Sequence, residues 1–383
     1  MDVFITDLAA FLPNGPIAND QMEALLGMVD QVPSRTRKLI LRNNKIITRY
    51  YAIDPATGRS THTNAQLAAE AIRRLKPYEG FSPRDIQCLA CGTTQADQLI
   101  PGHASMVHGE LAESGPCEIV STSGVCIAGM TALKYAAMNV ATGQVANAVA
   151  TGSEQASSFM RSRMAGAVSP EVCENLEAQP HLAFSADLLR WMLSDGAGAA
   201  FLAPAPVPGR RAFKIEWIDI FSFANELETC MYAGAVKNPD GTLTGWRELE
   251  SPGEAVAQRA MLVRQDVKLL HKEIVAATAD RAIPRLVARR GIKAEDVDVF
   301  VAHYSSDYFR LPIYEGLKNV SFHIPLEKWF TNLPEKGNTG SASVFIILAD
   351  LLRSDRIRPG DKVLCYVPES GRFSICYALL TVV

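Results

Sequence analysis

Two pairs of chemically useful residues recur at nearly the same spacing in this sequence. Cys126 stands 34 residues after Gly92, and Asn338 stands 35 residues after His303. A cysteine thiolate is a strong nucleophile that forms covalent acyl intermediates, and a nearby histidine favours the thiolate. The matched spacing indicates two copies of one structural unit that together form a single active site.

The residues around Cys126 are those expected at a reactive thiol. A strand candidate that begins at Glu118 leads through a Ser–Gly turn at 123–124 into the first turn of a helix. Backbone N–H groups and the positive end of the helix dipole lower the pKa of a cysteine at such a place. We therefore expect a stabilised thiolate. The alternative is a small buried residue that fits a crowded helix start.

The strands that precede these residues can be paired between the two units. Asp85–Gly92 and Asp296–His303 each begin with an acidic residue and continue as a short apolar run. Continuous apolar runs of this length, bounded by turn residues, are typical of strands buried on both faces between layers of helices. His303 therefore ends a strand. The alternative to a catalytic role is a histidine that packs in the core or caps an element.

The second elements of the two units also correspond. Ser121–Cys126 and Lys336–Asn338 each form a turn that opens a helix rich in small residues. Cys126 and Asn338 then occupy equivalent helix N-termini, although asparagine before a helix is also an ordinary N-cap. Around a shared two-fold axis, the duplication brings Cys126, His303 and Asn338 to one place.

Length and composition are consistent with two fused halves. The chain has 383 residues, of which 48% are apolar and 21% charged, so it can bury one large core or two. The formal net charge of -3, with both signs interspersed, gives no basic face for nucleic acid. No basic segment precedes the first apolar residues, and the longest hydrophobic stretch, Val344–Leu352, is interrupted by Asp350. We expect a soluble, cytoplasmic protein without a membrane span.

The eight cysteines predict buried thiols and not disulfides, because the cytosol keeps thiols reduced. Cys88 and Cys91 form a C-x-x-C pair inside a strand candidate. Three residues apart in a strand, their side chains point to opposite faces, and no second pair completes a zinc site. We expect no metal in this protein.

Several motifs, taken in order, carry a resemblance to a known family. They are Thr93–Pro101, Thr122–Gly129, Val149–Glu154, Ser194–Phe201, Val301–His303, Gly337–Ser343 and Gly360–Tyr366. In order and spacing they resemble the thiolase-fold condensing enzymes, and within them the β-ketoacyl-acyl-carrier-protein synthase III family with its Cys-His-Asn triad. The resemblance covers nearly the whole chain.

The resemblance implies an α/β chain with the thiolase fold, in which two halves related by a pseudo-two-fold axis form five layers, αβαβα. The N-terminal half, residues 1–205, would carry the nucleophilic cysteine, and the C-terminal half, residues 210–383, the histidine and the asparagine. The Pro-rich segment 203–209 is typical of a connection between them. The family also implies a homodimer.

The resemblance assigns each candidate residue a role. Cys126 accepts an acyl group from an incoming thioester, and backbone N–H groups of Cys126 and Gly371 hold the tetrahedral oxyanion. His303 and Asn338 bind the carbonyl of a second thioester and stabilise the enolate that attacks the acyl-cysteine. No metal, nucleotide or other cofactor takes part, and the substrates are thioesters of coenzyme A or of acyl carrier protein.

The sequence departs from the family pattern at two loops. His303 is followed by Tyr-Ser-Ser and not by Gln-Ala-Asn, and Glu369-Ser-Gly-Arg replaces an aromatic residue followed by three glycines. The family's aromatic residue handles the malonyl carboxylate, so Glu369 places decarboxylative elongation in doubt and would repel a malonyl group if it faced the cavity. The alternative is that Glu369 points away from the cavity.

Ile100 precedes Pro101 at a position where related enzymes send a side chain across the dimer interface. In those enzymes that side chain lines the acyl tunnel of the partner subunit. The resemblance therefore implies a substrate-tunnel role for Ile100. The alternative is an ordinary buried isoleucine.

Three N-terminal segments, Leu41–Asp54, Thr61–Ala68 and Gly102–Leu111, resemble the branch that serves dialkylresorcinol and related aryl-lipid pathways. That resemblance implies an enzyme that joins two acyl chains, with a 3-oxoacyl thioester as the nucleophile. Two other functions stay open. One is decarboxylative condensation with malonyl carrier protein, which initiates fatty acid or polyketide synthesis, and the other is acyl transfer without carbon–carbon bond formation. The retained Asn338 favours condensation.

Basic residues recur at steps of three and four residues in the N-terminal region, namely Arg35, Lys38, Arg42, Lys45 and Arg49. In a helix they form one stripe, which either docks acyl carrier protein or coenzyme A phosphates or is an ordinary solvated face. Two segments, 157–183 and 221–254, fit neither repeat and resemble insertions over the site.

Overall fold

The computed structural model describes residues 1–28, 33–34, 36–162 and 189–383. Its strands are β1 Phe4–Phe11, β2 Ile17–Ala18, β3 Thr48–Arg49, β4 Cys88–Thr93, β5 Glu118–Ser123, β6 Ala148–Glu154, β7 Gly196–Ala203, β8 Phe213–Ser222, β9 Met231–Tyr232, β10 Ala235–Lys237, β11 Leu243–Gly245, β12 Arg264–Gln265, β13 Val299–Ala302, β14 Trp329–Phe330, β15 Lys362–Glu369 and β16 Ser374–Val382. In the described residues ten of them form one mixed sheet, and six short ones pair in two-stranded ribbons.

The ten-stranded sheet consists of two five-stranded halves joined edge to edge. Its strand order is β14-β13-β15-β16-β8-β1-β7-β6-β4-β5. Outward from the central pair of β1 and β8, each half has two antiparallel pairings followed by two parallel ones. The two units that the sequence predicted are therefore repeated in the sheet, where β4 corresponds to β13 and β5 to β14.

The helices are α1 Met22–Leu26, α2 Arg37–Asn44, α3 Asn64–Arg73, α4 His103–Glu110, α5 Ala128–Ala141, α6 Ser157–Met160, α7 Pro252–Ala257, α8 Val267–Ala276, α9 Ile283–Arg290, α10 Arg310–Asn319, α11 Leu333–Lys336 and α12 Ser343–Leu352. A π-helical segment, Ala277–Ala282, joins α8 to α9. Short 3-10 turns are formed by Pro83–Asp85, Ala294–Asp296, Asp307–Phe309, Leu326–Lys328 and Gly340–Ala342. α8 begins at Asp266, whose carboxylate accepts the Leu269 N–H and so caps the helix.

The helices and the two half-sheets form five layers. α3 covers the outer face of the first half-sheet, while α8, α9 and α10 cover the outer face of the second. α5 and α12 lie between the half-sheets and share one apolar core with the inward faces of both. α12 is buried almost all round because its sequence, SVFIILADLL, is apolar on nearly every side. The predicted α/β thiolase fold is confirmed.

The two halves approach each other closely where α12 begins. The Ser341 carbonyl oxygen lies 2.3 Å from the place where a Cβ would stand on Gly129, and 2.1 Å from the equivalent place on Gly152. Gly129 belongs to α5 and Gly152 to β6, both in the first half. Any side chain at either position would displace Ser341, so these glycines permit the contact that brings the two helix starts together.

The connection between the halves runs from the end of β7 at Ala203 to the start of β8 at Phe213. Of the two segments that resembled insertions, 221–254 forms β9, β10 and β11 with the start of α7, and most of 157–183 lies outside the described residues. Within the described ranges, none of the helices has the length and apolar character that crossing a membrane requires.

Candidate active site

Cys126 lies just before α5, at the end of a tight turn. β5 ends at Ser123, Gly124 has a φ of 140°, and Ile127 is the N-cap residue of α5. The thiol is therefore at the helix start that the sequence predicted, but one residue ahead of the N-cap. Its side chain is buried and lies in the wall of two cavities.

His303 directly follows β13, as the sequence predicted. Its backbone N–H donates to the Tyr366 carbonyl at 3.0 Å, which fixes it to the neighbouring strand β15. Burial lowers the pKa of the His303 imidazole to about 4, so the ring is neutral at neutral pH. A neutral imidazole has one N–H donor and one acceptor nitrogen, and it can therefore either donate to a substrate oxygen or accept a proton.

Asn338 lies two residues after α11 and precedes the 3-10 turn that leads into α12. Its backbone N–H donates to the Met192 carbonyl at 3.0 Å, and its own carbonyl accepts the Ser194 N–H at 2.8 Å. The side-chain Oδ1 accepts the Gly340 N–H at 2.9 Å. Because Oδ1 is occupied in this way, the amide Nδ2 is the end of the side chain that is left to donate to a substrate.

Two cavities meet at Cys126. The first also contains Asn338 in its wall, and the second contains His303. Their apolar walls are Phe159, Leu189, Met192 and Met231 in the first and Leu270, Ile274, Phe309 and Ile313 in the second. Ser305 and Ser370 line both cavities, so the structure brings the three predicted catalytic residues together around one thiol.

Glu369, at the end of β15, folds back on its own loop. Its carboxylate accepts the N–H groups of Gly371, of Arg372 at 3.2 Å and of Ser374 at 3.0 Å. Among the described residues it belongs to neither cavity wall. The Gly371 N–H that was predicted to hold the oxyanion therefore donates to Glu369 in this structure. A substrate oxyanion can use that N–H only after the carboxylate withdraws.

The prediction of a stabilised Cys126 thiolate is wrong for this structure. Burial raises the pKa of the thiol well above its usual value, and the carboxylates of Glu154 and Glu369 raise it further. The favourable effect of the helix start is outweighed because the thiol is buried and lies near two acidic groups. At neutral pH Cys126 is a thiol, and it needs a base before it can attack a thioester.

Glu154, the last residue of β6, is a site residue that the sequence analysis missed. It is buried and lines the first cavity. Its Oε1 accepts the Thr94 hydroxyl at 2.6 Å, the Thr94 N–H at 3.0 Å and the Ser341 N–H at 3.1 Å. Burial raises the pKa of this carboxyl to about 7. The available signal was a glutamate that ends a strand of small residues, since glutamate is seldom buried without a special reason.

We expect the Glu154→Gln variant to gain stability over the wild type as the pH rises. The folded-state pKa of Glu154, about 7, lies above its ordinary value of 4.5. The stability that this group contributes is therefore full below about pH 4.5 and is lost as the pH rises through 7. At pH 8 the buried carboxylate lowers the free energy of unfolding of the wild type by up to about 3 kcal/mol, and an uncharged glutamine does not lower it in this way. Calorimetry should show a larger Tm gain at pH 8 than at pH 5.

Glu273→Gln is the matched control for this stability test. Glu273 is also a buried glutamate, but it lies on α8 beside Lys272 and Arg281 and not in the described cavity walls. Both variants replace a buried carboxylate by an amide. A Tm difference for Glu154→Gln that stays the same at both pH values would contradict the raised pKa of Glu154.

Three of the basic residues predicted for docking lie near one another on the surface, and their docking role stays a prediction. Lys38 and Arg42 lie one turn apart on α2 and are exposed, and Lys45 follows as an exposed C-cap residue with a φ of 58°. α2 packs against the turn Asp307–Phe309, whose last residue lines the second cavity. Arg35 lies outside the described residues.

Arg49 does not belong to this group, which corrects the sequence prediction. α2 ends at Asn44, so the helical spacing does not continue to Arg49. Arg49 lies instead in β3, is fully buried, and donates to Asn19 Oδ1 and to the Trp191 carbonyl. Its role is to hold the chain near the site and not to attract a partner.

Ile100 lies on the surface, with 84% of its area exposed. The alternative of an ordinary buried isoleucine is therefore wrong. Its neighbour Leu99 is exposed as well, and β5 is an edge strand with mostly exposed residues. A partner subunit whose tunnel receives Ile100 stays a prediction.

Cys88 and Cys91 point to opposite faces of β4, as predicted. Cys88 packs in the core between the half-sheets, and Cys91 packs in the core beneath α3. Burial raises the pKa of both thiols to about 12, so neither is a reactive thiolate. In the part of the chain that the structure describes, no three His, Cys, Asp or Glu side chains cluster as a metal site requires.

Comparison with known proteins finds relatives along nearly the whole chain. Residues 287–373, which include His303, Asn338 and Gly371, match the family model described as 3-oxoacyl-[acyl-carrier-protein] synthase III C terminal. The β-ketoacyl-[acyl-carrier-protein] synthase III of Bordetella petrii is 24% identical over 360 residues, 94% of this chain and 92% of the relative. That of Gloeobacter violaceus is 25% identical over 373 residues, with 94% and 93% covered.

Solved structures show the same fold. A tetronic acid condensing enzyme has a TM-score of 0.73 at 20% identity and covers 99% of both chains. OleA from Xanthomonas campestris has a TM-score of 0.73 at 21% identity, covering 100% of this chain and 99% of its own, in a structure with bound lauric acid and lauroyl-CoA. The chain thus has the thiolase fold of these condensing enzymes, its residues 287–373 match the synthase III model, and nearly its whole length is similar to β-ketoacyl-[acyl-carrier-protein] synthase III enzymes.

Proposed function

We propose that this enzyme joins two acyl chains. Cys126 accepts one acyl group, and the C2 carbon of a 3-oxoacyl thioester then attacks it in a Claisen-type reaction. The observation that carries the proposal is the pair of apolar cavities that meet at Cys126. An enzyme that adds two-carbon units needs one apolar region beside the thiol for one long chain, whereas two regions with apolar walls at the same thiol suit a reaction that joins two chains.

Acylation begins with removal of the thiol proton from Cys126. Because His303 is neutral at neutral pH and lines the second cavity with Cys126, its acceptor nitrogen can take that proton. The thiolate attacks the thioester carbonyl, and the oxyanion is held by the N–H of Cys126 and by that of Gly371 once Glu369 withdraws. The carbon–sulfur bond to the carrier then breaks, His303 returns the proton to the leaving carrier thiolate, and acyl-Cys126 remains with a neutral His303.

Condensation needs two donors at the oxygen of the second thioester. Asn338 presents Nδ2, since its Oδ1 is held by the Gly340 N–H. His303 lines the second cavity with Cys126, and its neutral ring has one N–H to donate. Donors placed where enolate charge develops lower the barrier more than donors that bind the ground state. The enolate carbon attacks acyl-Cys126, and the carbon–sulfur bond breaks.

The replacement of an aromatic residue by Glu369 argues against malonyl as the second substrate. In the family that the sequence resembles, that aromatic residue handles the malonyl carboxylate. Here Glu369 is bound to the backbone of its own loop and lines neither described cavity wall, so no aromatic side chain at this position receives the charged malonyl carboxylate. A 3-oxoacyl thioester has no such charge, and its C2 hydrogen is acidic enough to remove without loss of carbon dioxide.

Similarity to other proteins supports a two-chain reaction. OleA, a protein of this fold, is described with bound lauric acid and lauroyl-CoA, so the fold accepts long acyl chains in that protein. The N-terminal segments 41–54, 61–68 and 102–111 resemble the dialkylresorcinol branch. The joined product would then be an intermediate of dialkylresorcinol-type secondary metabolism, and the reaction needs no cofactor beyond the thioesters themselves.

The carrier of these thioesters is proposed to dock on α2. Lys38, Arg42 and Lys45 present three exposed positive charges beside the turn at Asp307–Phe309 in the wall of the second cavity. An acidic acyl carrier protein or the phosphates of coenzyme A complement such a group. The exposed edge strand β5 and Ile100 favour a homodimer, because unpaired edges and exposed apolar side chains are commonly covered by a partner.

The test of the proposal is a competition between second substrates. Cys126 is loaded with a medium-chain acyl group, loading is confirmed by intact mass, and malonyl and 3-oxoacyl carrier protein are offered together. We expect a product that contains both acyl chains, with malonyl untouched. A decarboxylated product two carbons longer would identify a chain-initiating synthase, and transfer to a hydroxyl or amine would identify an acyltransferase. Either outcome contradicts the proposal.

A further inference from the structure

Two buried carboxylates lie near Cys126, and their oxygens are held differently. Glu154 uses Oε1 alone to accept its three hydrogen bonds, from the two donors of Thr94 and from the Ser341 N–H. Its Oε2 has no hydrogen-bond partner among the described residues, and the side chain lines the first cavity with Cys126 and Asn338. One oxygen is therefore anchored and the other is free to meet a substrate.

Glu369 presents no such oxygen. Its Oε1 accepts the N–H groups of Gly371 and Arg372, and its Oε2 accepts the Ser374 N–H at 3.0 Å. Both oxygens are thus occupied by the backbone of its own loop, and in the described residues the side chain belongs to neither cavity wall. Of the two carboxylates, Glu154 is the one placed to take part in chemistry.

A reaction that joins two chains without loss of carbon dioxide must remove a proton from carbon. A decarboxylating enzyme obtains its enolate when the carbon–carboxylate bond breaks, so it needs no base at this step. The 3-oxoacyl nucleophile keeps all its carbons, and its C2 hydrogen has to be taken by a group of the protein. This requirement rests on the function proposed above.

We propose that Glu154 is the general base that takes the C2 proton of the 3-oxoacyl thioester. The C2–H bond breaks, its electron pair forms the enolate held by His303 and Asn338, and the proton passes to Oε2 of Glu154. C2 then bonds to the acyl carbonyl carbon, the carbon–sulfur bond to Cys126 breaks, and Glu154 returns the proton to the leaving thiolate. No other reactant is needed, and the enzyme is regenerated.

The surroundings of Glu154 suit this role. Its anchor, the Ser341 N–H, belongs to the same short loop as Asn338, so the base and an enolate donor are held in a fixed relation. Gly340 lies directly against it, with a Cβ position 2.9 Å from Cγ of Glu154. A carboxyl whose pKa is raised to about 7 is also near the optimum for proton transfer at neutral pH.

A purely structural role for Glu154 is the competing explanation, because its Oε1 joins the loop of Thr94 to that of Ser341. The Glu154→Gln variant separates the two roles. The glutamine Oε1 can accept the same three hydrogen bonds, while its NH₂ group replaces the free oxygen and cannot take a proton. A structural role predicts near-normal turnover for this variant, and a catalytic role predicts loss of one step only.

The experiment measures two reactions of the full chain. Acyl loading of Cys126 is followed by intact mass, and exchange of the C2 hydrogen of a 3-oxoacyl pantetheine thioester in D₂O is followed by mass spectrometry, with spontaneous exchange subtracted. For Glu154→Gln we expect loading within about twofold of wild type, and C2 exchange and joined product reduced about 100-fold or more. Exchange at the wild-type rate, or loss of acyl loading along with exchange, overturns the assignment.

Chemical rescue is a second measurement, and a purely structural role of Glu154 predicts no rescue. Glu154→Ala leaves space beside Cys126, and added formate should restore part of the C2 exchange because it supplies a carboxylate; absence of rescue counts against the base. Glu273→Gln, a buried glutamate on α8 away from both described cavity walls, is expected to exchange at the wild-type rate.

Failure of this assignment is distinguishable from failure of the proposed function. If the wild type joins two chains and Glu154→Gln joins them equally well, only the identity of the base is wrong. If the wild type shows no C2 exchange above background and consumes malonyl, the two-chain function itself is wrong, and with it the need for a base.

Discussion

The Asn338→Ala variant will take up an acyl group on Cys126 at close to the wild-type rate and will then fail to form a carbon–carbon bond. Acylation depends on the thiol, on a base and on the oxyanion donors, none of which is the Asn338 side chain. Condensation depends on the enolate, which loses its Nδ2 donor. Removal of one such donor typically costs about 10²–10³ in rate. Intact mass measures the first step, and product analysis measures the second.

Two further variants make this result specific. Cys126→Ala should lose acyl loading altogether, which shows that the label on the wild type is on this thiol. Asn338→Asp keeps an oxygen that can accept the Gly340 N–H at the site of the present 2.9 Å hydrogen bond, but it has no N–H to donate. It should therefore also fail to condense. Normal condensation by Asn338→Ala would remove the enolate role assigned here.

Enlarging one wall residue in each cavity will shorten the chains that the enzyme accepts, in one half-reaction at a time. Ile274 is a buried residue of α8 in the second cavity, and Met192 is a buried residue of the first. Ile274→Trp and Met192→Trp each fill space that a long chain needs. We expect at least a tenfold loss for long chains in one step, with short chains still accepted, measured as rate against chain length for acylation and for condensation.

The control for these variants is stability, because an overpacked side chain in a well-packed wall costs about 1–3 kcal/mol. Tm measurements identify a variant that has lost its fold. The two variants should differ in the step that they slow. If Ile274→Trp slows one of acylation and condensation, Met192→Trp should slow the other. If each variant slows both half-reactions equally, the two cavities serve a single chain, and the two-chain proposal loses its main support.

The duplication could be predicted from sequence because it depends on local patterns. The apolar runs that end at Gly92 and His303 are buried strands whatever surrounds them, and β4 and β13 occur where these runs predicted. Cys126 and Asn338 follow turns that the sequence displays directly. These local features are enough to predict that Cys126, His303 and Asn338 lie together where the two halves meet.

The electrostatic state of the site could not be predicted, because it depends on residues distant in sequence. The helix start near Cys126 is a local signal, whereas its burial and the approach of Glu154 and Glu369 come from packing. Arg49 shows the same limit. Its spacing from Arg42 fits a helix. However, α2 ends at Asn44, and the chain after it brings Arg49 into the core.

The contact of Ser341 with Gly129 and Gly152 has a consequence for how such a site can change. The approach of the Asn338–Ser341 loop to the first half, which carries Cys126, depends on two positions that have no side chain and take no part in the reaction. Substitutions in the cavity walls can alter which chains enter while this approach stays the same. Chain selection and bond formation are therefore separable properties of this architecture. The residues that select chains can change, whereas bond formation requires that Gly129 and Gly152 stay glycine.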